Sequence, residues 1–586
     1  MCVAVVAALA AACAPTPMPV VQAPPPAPAA PPPSAPKSVP PPALKVLLRP
    51  VREPAPLVHV AVDVDAPASA DLAHWRLASG DVAHLANVAA SDATGPLTVQ
   101  LQALEAGAVG LACVRPPSGH LHVEYDILVD AEGTDNPLAT VVRGGHFRGS
   151  GAALIALPES IEGTRMPVSV EIDRAPLEAE RAASSLGVGA SRKMETRPRS
   201  LLYASFSVGA QGDVVFDTLD GHDEASWVGF PSFDMRGAAV ELAELRSAFA
   251  NVLGAHDMLP DVPWTYLFEV SSARAPGAFT VTPRFNSVLV DIGASQPWGT
   301  PLRLALGQML ARRWIGDAIR FAPAGHPPEL AWFDDGVALY LATRVLSRLE
   351  LLPPKDWADV TVRELSELAT SPYAGKDLAT VASHVADDPA ASTALAMRGA
   401  LYATRESAIV RARTKGTGSF EGVLVALLAR VRTPRTASMA PLTLAAWQEA
   451  LVHEDPGALE AFDAIVNHGR PVTLPAGALG PCFRAGVGEY VAFDAGFDVE
   501  ATRHDKDRKP VALRAHGPAA NAGLTVDDVV RSIELKEGDA SVPVKVTVVR
   551  AGKQRVVAYA PRGLHGRGQT WTRIPGVPDD RCGPAP

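Results

Sequence analysis

Cysteine is scarce in this chain, at five residues in 586, and two of the five, Cys2 and Cys13, stand at the N-terminus. That scarcity excludes a disulfide-dense scaffold, and the lack of any C-x-x-C pair excludes a thioredoxin-type redox centre. Positive charge is not in excess: 53 Lys and Arg stand against 63 Asp and Glu, for a formal net charge of -10. Such a balance disfavours a nucleic-acid partner. Long apolar runs are missing too; the longest, Met1 to Ala12, is well short of the roughly 20 residues that cross a bilayer as a helix. No G-x-S-x-G elbow, P-loop or dinucleotide fingerprint occurs, which removes the commonest hydrolase, NTPase and dehydrogenase readings.

What the chain has is length for several cores, 47% apolar residues and 54 prolines. The apolar start reads as a signal-peptide core over residues 1–13. Its small residues run into Cys13, as in a bacterial lipobox, so Cys13 is the expected lipidation site and a lipid anchor the only expected membrane contact. From Ala14 to Ala43 nearly half the residues are proline, and a Pro/Ala-rich extended tether is expected over 14–49. A secreted, periplasmic or outer-membrane lipoprotein of the bacterial envelope is the location this implies. In that oxidising compartment Cys482 and Cys582 are expected to pair, while Cys113, inside VGLACV, reads as a buried thiol.

The body reads as a multidomain α+β chain. Residues 50–200 alternate short β-type runs with turn clusters, as in LVHVAVDVDAP and GHLHVEYDILVD, and predict an antiparallel β domain. Within it, 174–200 loses periodicity and reads as a linker or surface excursion. Residues 201–475 open with strands as far as SVLVDIG and continue as long helical stretches such as LRLALGQMLARRW and AMRGALYATRESAIVRAR. Residues 484–562 return to short strands, and 563–586 read as a tail. His120 and His122 share one strand face, where a surface or structural role is expected, and His222, Asp223 and Glu224 read as a solvated turn.

With WFDDG at Trp332 to Gly336, the helix around it, MRGALYATRESAIVRAR and HGPAANAGLTVDDVV, this order of domains resembles the glycyl aminopeptidase family. Its members are PDZ-bearing zinc metallopeptidases with a thermolysin-like, mainly helical catalytic domain. The resemblance spans about residues 55 to 562. It implies two zinc-binding histidines at i and i+4 of one helix, a glutamate base beside the first, and a third glutamate ligand downstream. When Trp314 is placed on the tryptophan following that motif, the positions read Gln308, Met309, Leu310, Ala311 and Arg312. The third ligand becomes Asp335. The glutamate that meets the substrate's amino terminus becomes Thr280, in GAFTV, and the oxyanion tyrosine becomes Ala396, in AMRG. No HExxH occurs anywhere, so the zinc site is expected to be lost, no cofactor is expected, and Arg312 is expected to pair with Asp335 with Gln308 bonding nearby.

In the last domain, DAGFDVE resembles the carboxylate loop and groove strand of a PDZ domain, with Ala495, Gly496, Phe497 and Val499 as the peptide-binding positions. Only RSIELKEGDASVP separates Val530 from Val544, too short for the groove helix, so a reduced PDZ-like β domain is expected. The functional expectation is a catalytically inactive peptidase homologue that binds or scaffolds a peptide or protein. An active metallo-aminopeptidase with a rearranged zinc site is the alternative.

Overall fold

A computed structural model describes residues 42–578 and Cys582, apart from short internal segments at 67–69, 130–135, 137, 219–220, 257–263, 272–273, 275–276, 323–326 and 433–440. The signal, Cys13 and most of the tether lie outside the described residues. The tether's C-terminal end does not: Ala43–Val51 is the first strand, so the β domain starts before residue 50. Its alternation decides this, because Leu44, Val46 and Leu48 all face the core.

That strand lies between Leu57–Asp65, antiparallel, and Met166–Ile172, parallel. The β domain is therefore mixed rather than purely antiparallel. Its main sheet has seven strands, with Leu121–Leu128 and Leu85–Asp92 beyond Leu57–Asp65 and with Ser191–Thr196 at the far edge. Two smaller sheets cover its inner face around Phe147, Phe206 and Tyr125. Buried Tyr125 is satisfied on both sides, its hydroxyl donating to Leu154 O at 2.8 Å and accepting from Ala156 N at 2.7 Å. The segment 174–200 is not a linker. Ala182–Ser184 is a buried strand, and Ser191–Thr196 is an edge strand whose alternating charges face water.

The second region opens with a five-stranded sheet in the order Gly212–Thr218, Gly221–Val228, Trp264–Ser271, Ser287–Gly293, Phe279–Arg284. Phe279–Arg284 therefore forms one edge. Helix α1, Met235–Leu253, covers the sheet; Asp234 caps its start by accepting from Arg236 N and Gly237 N, and Gly254 ends it in the left-handed region. Next come α2, Thr300–Ala311, and a π-helical turn, Trp332–Val337, which runs straight into α3, Ala338–Arg348. Helices α4, Pro354–Ala369, and α5, Pro389–Arg413, complete the scaffold of the site.

The C-terminal boundaries fall elsewhere than 484–562 and 563–586. Phe483–Phe493 pairs antiparallel with Arg562–Arg573, so the supposed tail supplies half of a two-stranded ribbon. The ribbon belongs to the helical core: a Cβ on Gly566 would lie 2.1 Å from Ala369 O of α4, and Tyr490 is buried with that core. A disulfide joins Cys482 to Cys582, with Cα atoms 5.2 Å apart, at the base of this ribbon. Cys113 is half-buried, and desolvation raises its thiol pKa. Between the two ribbon strands a small unit carries the sheet Val529–Glu534, Val544–Arg550, Lys553–Tyr559 around its own core of Phe497, Leu524, Val546 and Val548. No helix lies between Val529–Glu534 and Val544–Arg550.

Candidate functional site

Three elements converge on the candidate site: the end of α2, the π-helical turn and the middle of α5. The turn is fixed from behind, where Trp332 meets Phe333 and Phe462 edge to face and Trp447 at a tilt, with ring centroids 4.8 to 5.5 Å apart. From the other side α5 crosses it with backbone against backbone. A Cβ on Gly399 would fall 1.8 Å from Trp332 O, and one on Gly336 would fall 2.4 Å from Ala396 O. Only glycine permits this approach. Helix α2 packs on α3 through Gly307, whose position leaves 3.3 Å to the Ala342 Cβ for any added methyl.

Gln308 and Arg312 sit one turn apart and reach Asp335 together. Arg312 Nη1 lies 2.9 Å from Asp335 Oδ1, with about a quarter of each side chain exposed, 26% and 25%. Gln308 Nε2 donates to the backbone carbonyl of Asp335 at 3.0 Å. Regular α2 stops at Ala311, and Arg312 is its C-cap; the helix foreseen as far as Trp314 is replaced there by tight turns. Met309 packs half-buried against the helical core. Ala396 is buried at the crossing with the turn.

Thr280 stands on the edge strand, opposite Asp291 in register, and the strand packs against α2. Its Oγ1 is buried with no hydrogen-bond partner among the described residues. Gln308, Arg312 and Asp335 thus meet at one place with Ala396 at the adjoining crossing, while Thr280 stands on the neighbouring edge strand, on the sheet face of Asp291.

Sequence reasoning missed the acids that lie across the sheet from Thr280. Glu269 is buried on Trp264–Ser271, where it accepts from Ser207 Oγ at 3.3 Å and lies 3.2 Å from His146 Nε2 of the β domain. Asp291 is buried with Arg274 Nη2 at 3.1 Å and Arg148 Nη1 at 3.7 Å. The signal was present: a carboxylate inside YLFEV or VLVDIG lies in a strand covered on both faces, so it must find partners. Asp223 and Glu224 are a further correction. They lie on a buried strand rather than in a solvated turn. Arg246 Nη2 binds Asp223 at 2.6 Å and Arg192 Nη2 binds Glu224 at 2.6 Å, and burial still holds the Asp223 pKa above its usual range.

The expected peptide groove of the last unit is not formed. Ala495 and Phe497 point into its small core, and Gly496, at φ 82°, is so close to Ala519 that an added Cβ would lie 2.7 Å from its N. Val499 opens the helix Val499–His504, capped by Asp498 accepting from Ala501 N at 2.8 Å, so no groove strand exists there. The local cap outweighs the alternation of Ala495, Phe497 and Val499. His120 and His122 lie on the exposed face of the main sheet, ion-paired with Asp63, Asp65 and Glu124. Among the described residues no group of three or more His, Cys, Asp or Glu side chains is placed to hold a metal ion, and no helix is long and apolar enough to cross a membrane.

No protein-family model and no curated protein matches the chain. Solved structures do. The crystal structure of an aminopeptidase N family protein from Idiomarina loihiensis superposes with a TM-score of 0.64 at 13% identity, over 91% of this chain and 98% of that one. At that identity the likeness establishes the fold: a β-rich N-terminal domain followed by a helical one. An M1 zinc metallopeptidase from Deinococcus radiodurans gives a TM-score of 0.45 at 17% identity, over 74% of this chain and 94% of that chain.

Proposed function

We propose that this chain is a catalytically inactive, peptidase-like protein of the bacterial envelope, secreted or held by a lipid on Cys13, that binds a peptide or protein in the cleft without cleaving it. The observation that carries this reading is the clasp of Asp335 by Arg312 and Gln308. A catalytic zinc site presents three anionic or imidazole ligands and one open position. Here the residues present do not fit that metal. The carboxylate at the third ligand position, Asp335, is paired with a guanidinium, the Gln308 amide spends a donor on a backbone carbonyl, and the cation already in place is Arg312.

Retained binding is supported by Phe279–Arg284, which stands at the edge of its sheet with no strand on its outer side among the described residues and adjoins α2. Such an edge can accept an extended peptide as an added strand. The small C-terminal unit lacks a comparable groove strand, so the reading assigns it a packing or docking role. The test is a fluorescence titration with peptides carrying free glycyl or alanyl amino termini, with product analysis in the presence and absence of added zinc. Saturable binding with the peptides recovered intact is the expected result; chelator-sensitive hydrolysis would overturn the reading in favour of a rearranged metal site.

A further inference from the structure

Helices α3, α4 and α5 line a cavity of ≈ 10 Å³, room for one particle about the size of a water molecule. Its wall includes Tyr340, Arg344, Glu364, Thr404, Ser407 and Arg411. Arg344 and Arg411 are 3% and 8% exposed, so both guanidinium groups are removed from solvent. Among the described residues the carboxylate that pairs with this group is Glu421, and it is heavily shared. It accepts from Tyr340 Oη at 3.1 Å and from Arg348 Nη2 at 3.3 Å, while Arg344 Nε reaches it only at 3.5 Å, the outer limit of a hydrogen bond. Arg411 Nη1 is buried with no partner among the described residues. Two buried cations and a half-exposed third, Arg348, therefore face a single buried anion, and an uncompensated buried charge is costly.

We infer that this cavity is a binding site for one small monovalent anion of chloride size, held between Arg344 and Arg411. Glu364, the acid on the wall itself, is not the missing counter-charge. Burial pushes the Glu364 pKa up to about 8, so near neutrality it is an uncharged acid able to donate its own O–H. Burial and the neighbouring Arg344 also lower the Arg411 pKa, the direction expected of a guanidinium short of negative charge. An anion here would tie α3, which continues from the turn bearing Asp335, to α5, which crosses that turn at Gly399.

Two measurements on the full chain test the site. In crystals grown from sodium bromide, an anomalous peak at hydrogen-bond distance from Arg411 Nη1 is expected; an ordered water there, or no peak, overturns the proposal. In solution at fixed ionic strength, replacing gluconate by chloride should raise Tm by on the order of 2 °C and then saturate. Equal Tm values in the two salts overturn it as well. Arg411→Gln should abolish the chloride dependence, and the wild-type bromide map stands whether or not that variant folds.

Discussion

Asp335 and Arg312 meet where about a quarter of each side chain still touches water. Solvent screening keeps such a pair to about 0.2–1 kcal/mol, so Asp335→Ala should lower stability by no more than that in urea denaturation. The pair matters for what it occupies rather than for what it stabilises. Glu364 is the opposite case. It is buried, its pKa is raised to about 8 chiefly by desolvation, and the neighbouring Arg363 and Glu367 act in opposite directions on it. Because its folded pKa lies above the unfolded value, the folded state holds the proton longer, and stability falls as pH climbs from about 4.5 to about 8. Glu364→Gln should flatten that slope by a few kcal/mol across the window, read from urea midpoints at each pH. The Arg312 and Asp335 pairing was legible from sequence, because a charge at a ligand position beside a carboxylate constrains both. Asp223, Glu224 and Glu269 were not, since a charged residue reads as exposed until the strand around it is known to be covered on both faces.

Among the elements, the crossing of α5 over the π-helical turn fixes the position of the turn that carries Asp335. Gly399→Ala would drive a methyl into Trp332 O, and it should cost at least about 2–3 kcal/mol and loosen the turn that carries Asp335. Gly477→Ala, with nothing within 4 Å of the new methyl, is the control and should stay within about 0.5 kcal/mol. Thermal unfolding of both variants checks the contrast. The periodicity of α2 was visible in LRLALGQML, but its end at Ala311 was not, because LARRW continues the apolar spacing while the backbone tightens. In the last unit, the Asp498 cap decided for a helix where alternation had argued for a strand. The parallel pairing of Ala43–Val51 with Met166–Ile172 joins segments too far apart in sequence for any local pattern to reveal.

For the molecule as a whole, domain order was legible and domain edges were not. The ribbon of Phe483–Phe493 and Arg562–Arg573 returns the chain to the helical core after the small unit, and the disulfide closes that excursion across a separation of 100 residues. Replacing Cys482 and Cys582 together with alanine should cost about 2–4 kcal/mol, seen as a lower unfolding midpoint that matches the wild type under reducing conditions. The fold is shared with an aminopeptidase N family protein over 91% of the chain at 13% identity, so the architecture persists where the chemistry of single positions need not. In the function proposed above, Arg312 and Asp335 stand where a metal centre would be. Metal content of the purified chain, measured by mass spectrometry after incubation with zinc and gel filtration, tests this: zinc far below stoichiometry is expected, whereas one tightly held zinc per chain would overturn the proposed function.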